Sequence, residues 1–279
     1  MAEPALNVAA MPERAIVGAG TSERDWQAWP GLAALPACML AELVPAHARV
    51  VVVAPHPDDE VLAFGGMLAM LAAHGTPISL VAVTNGDASH PGSERWPAPL
   101  LARRRAVESG EGLCRLGLRQ TATLRLGLPD GCVVQHGAML ENCLRAVLRP
   151  DDVVFTTWEL DGHPDHEATA EAVSFACRYT GARQWQAPVW MWHWAAPGDA
   201  RVPWQRMVRL NLSDDALSRK RRAIAAHVSQ LQPQDSGAPA VLSSMALARS
   251  LRGFEVLLPV PGRPLASKGS GSLTAAGSR

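Results

Sequence analysis

Two short stretches carry residue types that can do chemistry together. From Val53 to Glu60 the chain reads VAPHPDDE, which sets His56, Asp58, Asp59 and Glu60 close together, and from Leu160 to Glu167 it reads LDGHPDHE, with His163, Asp165 and His166. A histidine and an aspartate three residues apart on a proline-stiffened turn can address one cation, and imidazole with carboxylate is a donor set that zinc accepts. The plainer reading of the first stretch is helix capping, in which Asp58 or Asp59 covers the start of a helix near Glu60. Capping needs one acid and explains neither His56 nor the second aspartate. Crowded carboxylates also repel one another unless a cation lies among them.

The elements around these stretches place them. RVVVVA (49–54) runs directly into the first cluster, DVVFTT (152–157) leads to the second, and ISLVAVT (78–84) and ATLRLGL (122–128) are further apolar runs. Continuous rather than alternating apolar strands imply burial on both faces, hence a parallel sheet between helices. LAFGGMLAMLAAHG and HGAMLENCLRAVLR have the apolar spacing of the covering helices. The expected fold is α/β, a Rossmann-like, mostly parallel sheet flanked by helices with the active site at the C-terminal ends of its strands. On such an edge, residues about 110 apart in sequence share one cavity.

The rest of the chain divides less cleanly. After about residue 185 come VWMWHWA, MVRLNL and GFEVLLPV, with a helical pattern from Asp214 to Leu231, and these either extend the sheet or form an added layer. Trp190, Trp192 and Trp194 read as one face of a strand, packed in the core by default, with a sugar platform as the alternative. Gly65 and Gly66 lie mid-helix and would let that helix approach the sheet; their spacing is not that of a dinucleotide loop. One domain over 1–265 is expected, with a core at 49–231, an N-terminal extension over 1–48, a strand region reaching 260, and a polar tail over 266–279 without fixed structure.

Composition limits the function classes. The 279 residues carry 26 basic and 26 acidic side chains, so no global charge favours nucleic acid or an anionic surface. Five cysteines without a CxxC pair suit reduced thiols rather than a disulfide framework. The first twenty residues lack a basic start with an apolar core, and no stretch approaches the ~20 apolar residues of a spanning helix, so a cytoplasmic protein is expected.

The set PHPDDE with a following GG, then GHPDH, then Lys220, Ala223, His227, Ser229 and Gln230 in KxxAxxxHxSQ, resembles the LmbE-like family of zinc-dependent de-N-acetylases. That family includes the N-acetylglucosaminyl-phosphatidylinositol (PIG-L) deacetylases and the deacetylases of mycothiol and bacillithiol biosynthesis. The resemblance spans roughly 49–231 and implies that His56, Asp59 and His166 bind one zinc ion, with iron(II) as the alternative, while Asp58 is the general base. It implies a second catalytic group in His163, held by Asp165, and contacts from Arg105 and Asp130 to sugar hydroxyls. Arg103 or Arg104 is the inward residue if the helix register differs, and Glu60 supports the turn rather than the metal. His227 could approach the cavity or serve structure alone.

The function this implies is hydrolysis of an N-acetyl group from a GlcNAc-type sugar in a small molecule or glycoconjugate. Two alternatives keep the metal shell: an amidase of thiol-conjugated sugar derivatives, and a sugar-binding module without turnover. Phosphoester hydrolysis would favour more carboxylate ligands or a second ion. The partner is a small sugar-containing molecule, with no nucleic acid and no membrane span; a homo-oligomer is compatible with the sequence.

Overall fold

The computed structural model describes residues 14–261. The first thirteen residues and the expected tail over 266–279 lie outside them. Eight strands form one sheet in the order β1-β7-β8-β6-β5-β2-β3-β4. In chain order they are β1 (Ala37–Cys38), β2 (Val50–Ala54), β3 (Ile78–Thr84), β4 (Ala122–Leu128), β5 (Val153–Thr157), β6 (Arg183–Ala187), β7 (Val208–Asn211) and β8 (Phe254–Val260). The pairs β2–β3, β3–β4, β2–β5, β5–β6 and β1–β7 are parallel, whereas β8 runs antiparallel to both β6 and β7.

Helices α1 (Glu23–Ala28), α2 (Pro30–Ala33) and α3 (Leu40–Leu43) precede β2, and the connections that follow are α4 (Asp59–Ala73), α5 (Ala98–Leu116), α6 (Gly137–Val147) and α7 (Pro164–Thr180). Four more, α8 (Met191–Trp194), α9 (Asp214–Ile224), α10 (Val228–Leu231) and α11 (Ser244–Ser250), accompany the last strands. None among the described residues is long and apolar enough to cross a membrane. All five cysteines are free.

The valine run of β2 has no polar face because both faces are covered. Val50, Val52 and Ala54 pack with Phe64 and Met67 of α4, Leu116 of α5 and Ile224 of α9. Val51 and Val53 pack against Leu140 and Leu144 of α6 and Val173 of α7 on the other side. The strand lies centrally, so the chain leaves it toward β3 on one side and later returns to β5 on the other. Such a reversal opens a crevice at the carboxyl ends of the two strands. The register Val50↔Val153 to Val53↔Thr156 brings the His56 turn and the Asp161–His166 turn to that crevice.

Of the two arrangements open to the late apolar runs, the structure has the first, and they extend the sheet as β7 and β8. Three other expectations change. The VWMWHWA segment is not a strand: β6 ends at Ala187, Trp190 is helical in conformation, and Met191–Trp194 is a helical turn. The three tryptophans therefore diverge. Trp192 is buried with Trp26 and Trp204, Trp194 stacks on Trp158, and Trp190 turns to the crevice. Gly65 and Gly66 admit neighbours other than the sheet, since a Cβ on Gly65 would sit 3.0 Å from Cγ of Lys220 and one on Gly66 2.4 Å from Cδ1 of Leu212. The helical pattern from Asp214 also breaks at Ile224, and the chain turns at His227 before α10.

The approach of α4 and α9 buries a charged pair. Lys220 Nζ donates to Glu255 Oε1 at 2.7 Å, and the same carboxylate accepts from the main-chain N–H groups of Gly66 and Met67 at 2.7 and 2.9 Å. Lys220 and Glu255 are 1% and 4% exposed. Removing one member leaves an incompletely compensated buried charge. Lys220→Met is expected to lower unfolding free energy by about 3 kcal/mol in urea denaturation, and a loss below about 1 kcal/mol would show that the pair is not needed.

Candidate metal centre and active site

The turn after β2 presents three donor atoms with a ring from α7. His56 Nδ1 lies 3.3 Å from His166 Nε2 and 3.3 Å from Asp59 Oδ2, and His166 Nε2 lies 3.2 Å from the same Asp59 oxygen. Ligand atoms at 2.0–2.1 Å from a tetrahedral ion are separated by about 3.3 Å, so the triangle has the size that a zinc-like ion requires. The outer nitrogens of both rings are engaged by carboxylates. His56 Nε2 faces Asp130 Oδ1 at 3.1 Å and Asp165 Oδ2 at 3.2 Å, and His166 Nδ1 faces Asp161 Oδ2 at 2.8 Å.

With those carboxylates accepting the outer ring hydrogens, the neutral rings can present Nδ1 of His56 and Nε2 of His166 to one cation beside Asp59 Oδ2. Without a cation there, the same nitrogens attract protons instead. The ionisation of the groups reflects the same demand. Burial opposes charge on both rings, yet the surrounding carboxylates raise His56 well above the usual imidazole value and lift His166 to about 9. Burial would likewise raise Asp59, but His166 and His56 hold it well below the usual carboxylate range. The donor set fits a single divalent ion.

Two further groupings share these residues. His163 brings a nitrogen within 4.8 Å of those of His56 and His166, and Asp130 with Asp165 gathers on the other edge of His56. The first lacks the Asp59 carboxylate, and His163 uses Nδ1 to accept the Asp165 N–H at 3.2 Å. The second converges on a nitrogen that carries the hydrogen shared by two carboxylates. The Asp59-centred triangle is the better ion site.

Asp58 is next to Asp59 but has different partners. Its φ of 155° and ψ of −23° are strained for a residue with a Cβ, a conformation that costs on the order of 1–3 kcal/mol. Glu60 Oε2 accepts the Asp58 N–H at 3.0 Å, and Ser109 Oγ donates to the other Glu60 oxygen at 2.6 Å, which fixes the turn. The Asp58 carboxylate accepts from Arg105 Nη2 at 2.9 Å and faces the cleft. Burial pushes it up to about 7, Arg105 opposing and Asp59 adding to the rise.

These groups border a cleft of about 250 Å³, whose lining includes the polar Asp58, Arg105, Asp130, His163 and Gln230 and the apolar Leu62, Trp190, Val241 and Leu242. Arg105 is the inward arginine of α5. Its guanidinium donates to Gly86 O, Pro57 O and Asp58, and Asp130 is held by His56 Nε2 and by the Ala88 N–H at 2.8 Å. Both expected sugar contacts thus touch the cleft while positioning Asp58 and His56.

The expected pairing of Asp165 with His163 is corrected. The Asp165 carboxylate accepts from the main-chain N–H groups of Gly131 and Val133 and faces His56, because its place in the first turn of α7 aims it at the loop after β4. His163 is the N-cap of α7. Burial and the neighbouring His166 and His56 push its pKa down to about 3. His227 is 1% exposed, packs near Gly112 and is not among the cleft-lining residues, and among the described residues neither ring nitrogen makes a hydrogen bond of good geometry. Burial pushes it down to about 3.

Asp161 went unrecognised in the sequence. It orients His166 and accepts from the N–H groups of Val189, Trp190 and Met191, so one buried carboxylate ties the ligand to the turn after β6. Its position two residues before HPDH was the available signal, since a ligating histidine needs an acceptor behind it.

Residues 51–177 match the family described as PIG-L, GlcNAc-PI de-N-acetylase. They form a PIG-L family domain. A curated relative, the 1D-myo-inositol 2-acetamido-2-deoxy-alpha-D-glucopyranoside deacetylase of Rhodococcus erythropolis, is 24% identical over 253 residues, covering 70% of this chain and 85% of the relative. Among solved structures, N,N'-diacetylchitobiose deacetylase from Pyrococcus horikoshii superposes with a TM-score of 0.54 at 20% identity, over 68% of this chain and 73% of that one. The 4-carboxy-2-hydroxymuconate hydratase GalB of Pseudomonas putida gives a TM-score of 0.51 at 16% identity, over 77% and 97%. These likenesses establish the shared α/β fold, which hosts more than one reaction.

The PIG-L domain should retain about one transition-metal ion per chain on elemental analysis, and His56→Ala or His166→Ala should deplete it. Asp161→Ala, which leaves the ligands in place, should weaken metal binding about 10–100-fold in a chelator competition. Full metal content in both histidine variants would remove the ion from this triangle.

Proposed function

We propose that the protein is a zinc-dependent hydrolase that removes an acetyl group from the nitrogen of a GlcNAc-type sugar in a small molecule or glycoconjugate. The observation that carries this reading is a three-ligand triangle with an unligated carboxylate, Asp58, beside it in one cleft. The PIG-L match and relatives named as deacetylases of acetamido sugars support it. His56, Asp59 and His166 would hold the ion. When bound, it supplies a Lewis acid for the amide carbonyl and makes water nucleophilic near neutral pH.

Asp58 takes a proton from the attacking water. Arg105 and the strained turn keep its carboxylate aimed into the cleft, and burial brings its affinity for a proton into the range a general base uses. The same proton then passes to the departing amine, which leaves a free amino sugar and acetate. His163 works as a neutral donor. Its Nδ1 accepts the Asp165 N–H, so its hydrogen resides on Nε2 and can stabilise the negative charge that develops on the carbonyl oxygen. Arg105 and Asp130 meet sugar hydroxyls from the cleft wall while they position Asp58 and His56.

An amine-detecting assay across N-acetylglucosamine glycosides, with acetate measured in parallel, tests the reaction; absence of amine from every such glycoside by metal-replete protein would reject it. Asp58→Asn should retain metal and lose about 10²–10⁴-fold in kcat. His163→Ala should lower kcat by about 10²–10³-fold with little change in KM, the loss expected for one oxyanion donor. Loss of metal in His163→Ala would instead make it a ligand.

A further inference from the structure

The cleft lining has two chemically different parts. Beside the polar groups, Leu62 of α4, Trp190 after β6, and Val241 and Leu242 of the segment between α10 and α11 present apolar surface. Leu62 and Leu242 are 7% and 4% exposed, whereas Trp190 and Val241 stay half-buried. Trp190 is held in place by its own main chain, since its N–H donates to both Asp161 oxygens at 3.0 Å, and its indole meets the His193 ring edge-on at 6.1 Å between ring centres. The Asp161 carboxylate that sets His166 thus also fixes where this ring stands.

We propose that the substrate is an acetamido sugar carrying an apolar aglycone, and that Trp190 and Val241 bind that aglycone at the mouth of the cleft. The proposal rests on the deacetylase reading above. A fully hydroxylated second group against Leu62, Val241 and Leu242 would lose its hydrogen bonds to water without replacement, at about 1–3 kcal/mol for each buried hydroxyl. A phenyl or alkyl group loses nothing there and can stack on the indole. The cleft, at about 250 Å³, is at the small end for a ligand site, so one sugar ring occupies most of it and a second group lies toward solvent.

Position also selects the aglycone over a longer acyl chain. The amide must reach the triangle, where His56, Asp59 and His166 are 9%, 3% and 0% exposed, so the half-buried, more solvent-open Trp190 and Val241 are assigned to the group that extends toward solvent.

The test compares kcat/KM for methyl and phenyl glycosides of N-acetylglucosamine, both anomers, together with the methyl glycoside of N-hexanoylglucosamine. The phenyl glycoside of one anomer should be preferred over its methyl counterpart by about tenfold, the effect of part of an aromatic ring leaving water. Trp190→Ala and, independently, Val241→Asp should each reduce that ratio to below about threefold. A ratio near one in the unaltered protein, an unchanged ratio in both variants, or a preference for the hexanoyl substrate overturns the proposal. Calorimetric titration with phenyl and methyl glucosaminide separates this outcome from failure of the deacetylase reading. Tighter phenyl binding that is lost in both variants would uphold the apolar mouth even if no glycoside were hydrolysed, and equal binding of the two would reject it.

Discussion

Two imidazole nitrogens held 3.3 Å apart, with one Asp59 oxygen within 3.3 Å of both, set what the surrounding chain must supply. Rings do not adopt that arrangement unaided. It requires acceptors behind both, and the chain supplies Asp130 and Asp165 behind His56 and Asp161 behind His166. Each acceptor is itself fixed by main-chain N–H groups: Ala88 for Asp130, Gly131 and Val133 for Asp165, and Val189 to Met191 for Asp161. The segments after β3, β4, β5 and β6 are thereby tied to the turn after β2, and orientation of the ligands is a property of the whole sheet edge.

This coupling explains why the sheet could be read from the sequence more fully than the site. β3 and β4 coincide with the apolar runs expected for them, and β2 and β5 begin one residue later; β2, β3 and β5 announce themselves by composition because both faces are covered, whereas β4 is an edge strand whose side chains are mostly exposed. β6, RQWQA, was missed: its glutamines pair with Ser174 of α7 and with the main chain near Glu159, contacts that composition does not signal. The alternating tryptophans of VWMWHWA imitated a strand, while their environments are a core cluster, a stack on Trp158 and a cleft wall.

Two similar turns after two apolar strands put both clusters on one sheet edge, and the family resemblance singled out His56, Asp59 and His166 among them, which the structure brings within 3.3 Å of one another. The partners of Asp165 were not legible. Its sequence neighbour His163 offered an obvious match, but an aspartate in the first turn of a helix projects sideways, and here that direction leads to the loop after β4. Arg105 shows the same limit. Its inward position could be anticipated, but its use in holding Asp58 depends on Gly86, whose φ of 65° and missing Cβ leave room for the guanidinium; a Cβ there would lie within 2.1 Å of it.

Three consecutive buried carboxylates are a poor arrangement for stability, so their separation into distinct environments needs a physical cause. Burial raises all three. Asp59 alone is overcome by adjacent imidazoles and falls well below the usual range, Glu60 remains raised although Ser109 donates to it, and Asp58 reaches about 7 with Arg105 only partly offsetting its burial. The strained backbone at Asp58 is what permits this division, because it turns one carboxylate toward Arg105 while the next turns toward the rings. Environments that push like groups apart are the usual way a fold assigns different proton tasks to one residue type. In the proposed reaction Asp59 stays an anion fit to bind a cation, and Asp58 can gain and lose a proton near neutrality. Relaxing the turn would return both aspartates to one environment, so the strain is connected to the chemistry through charge as well as geometry.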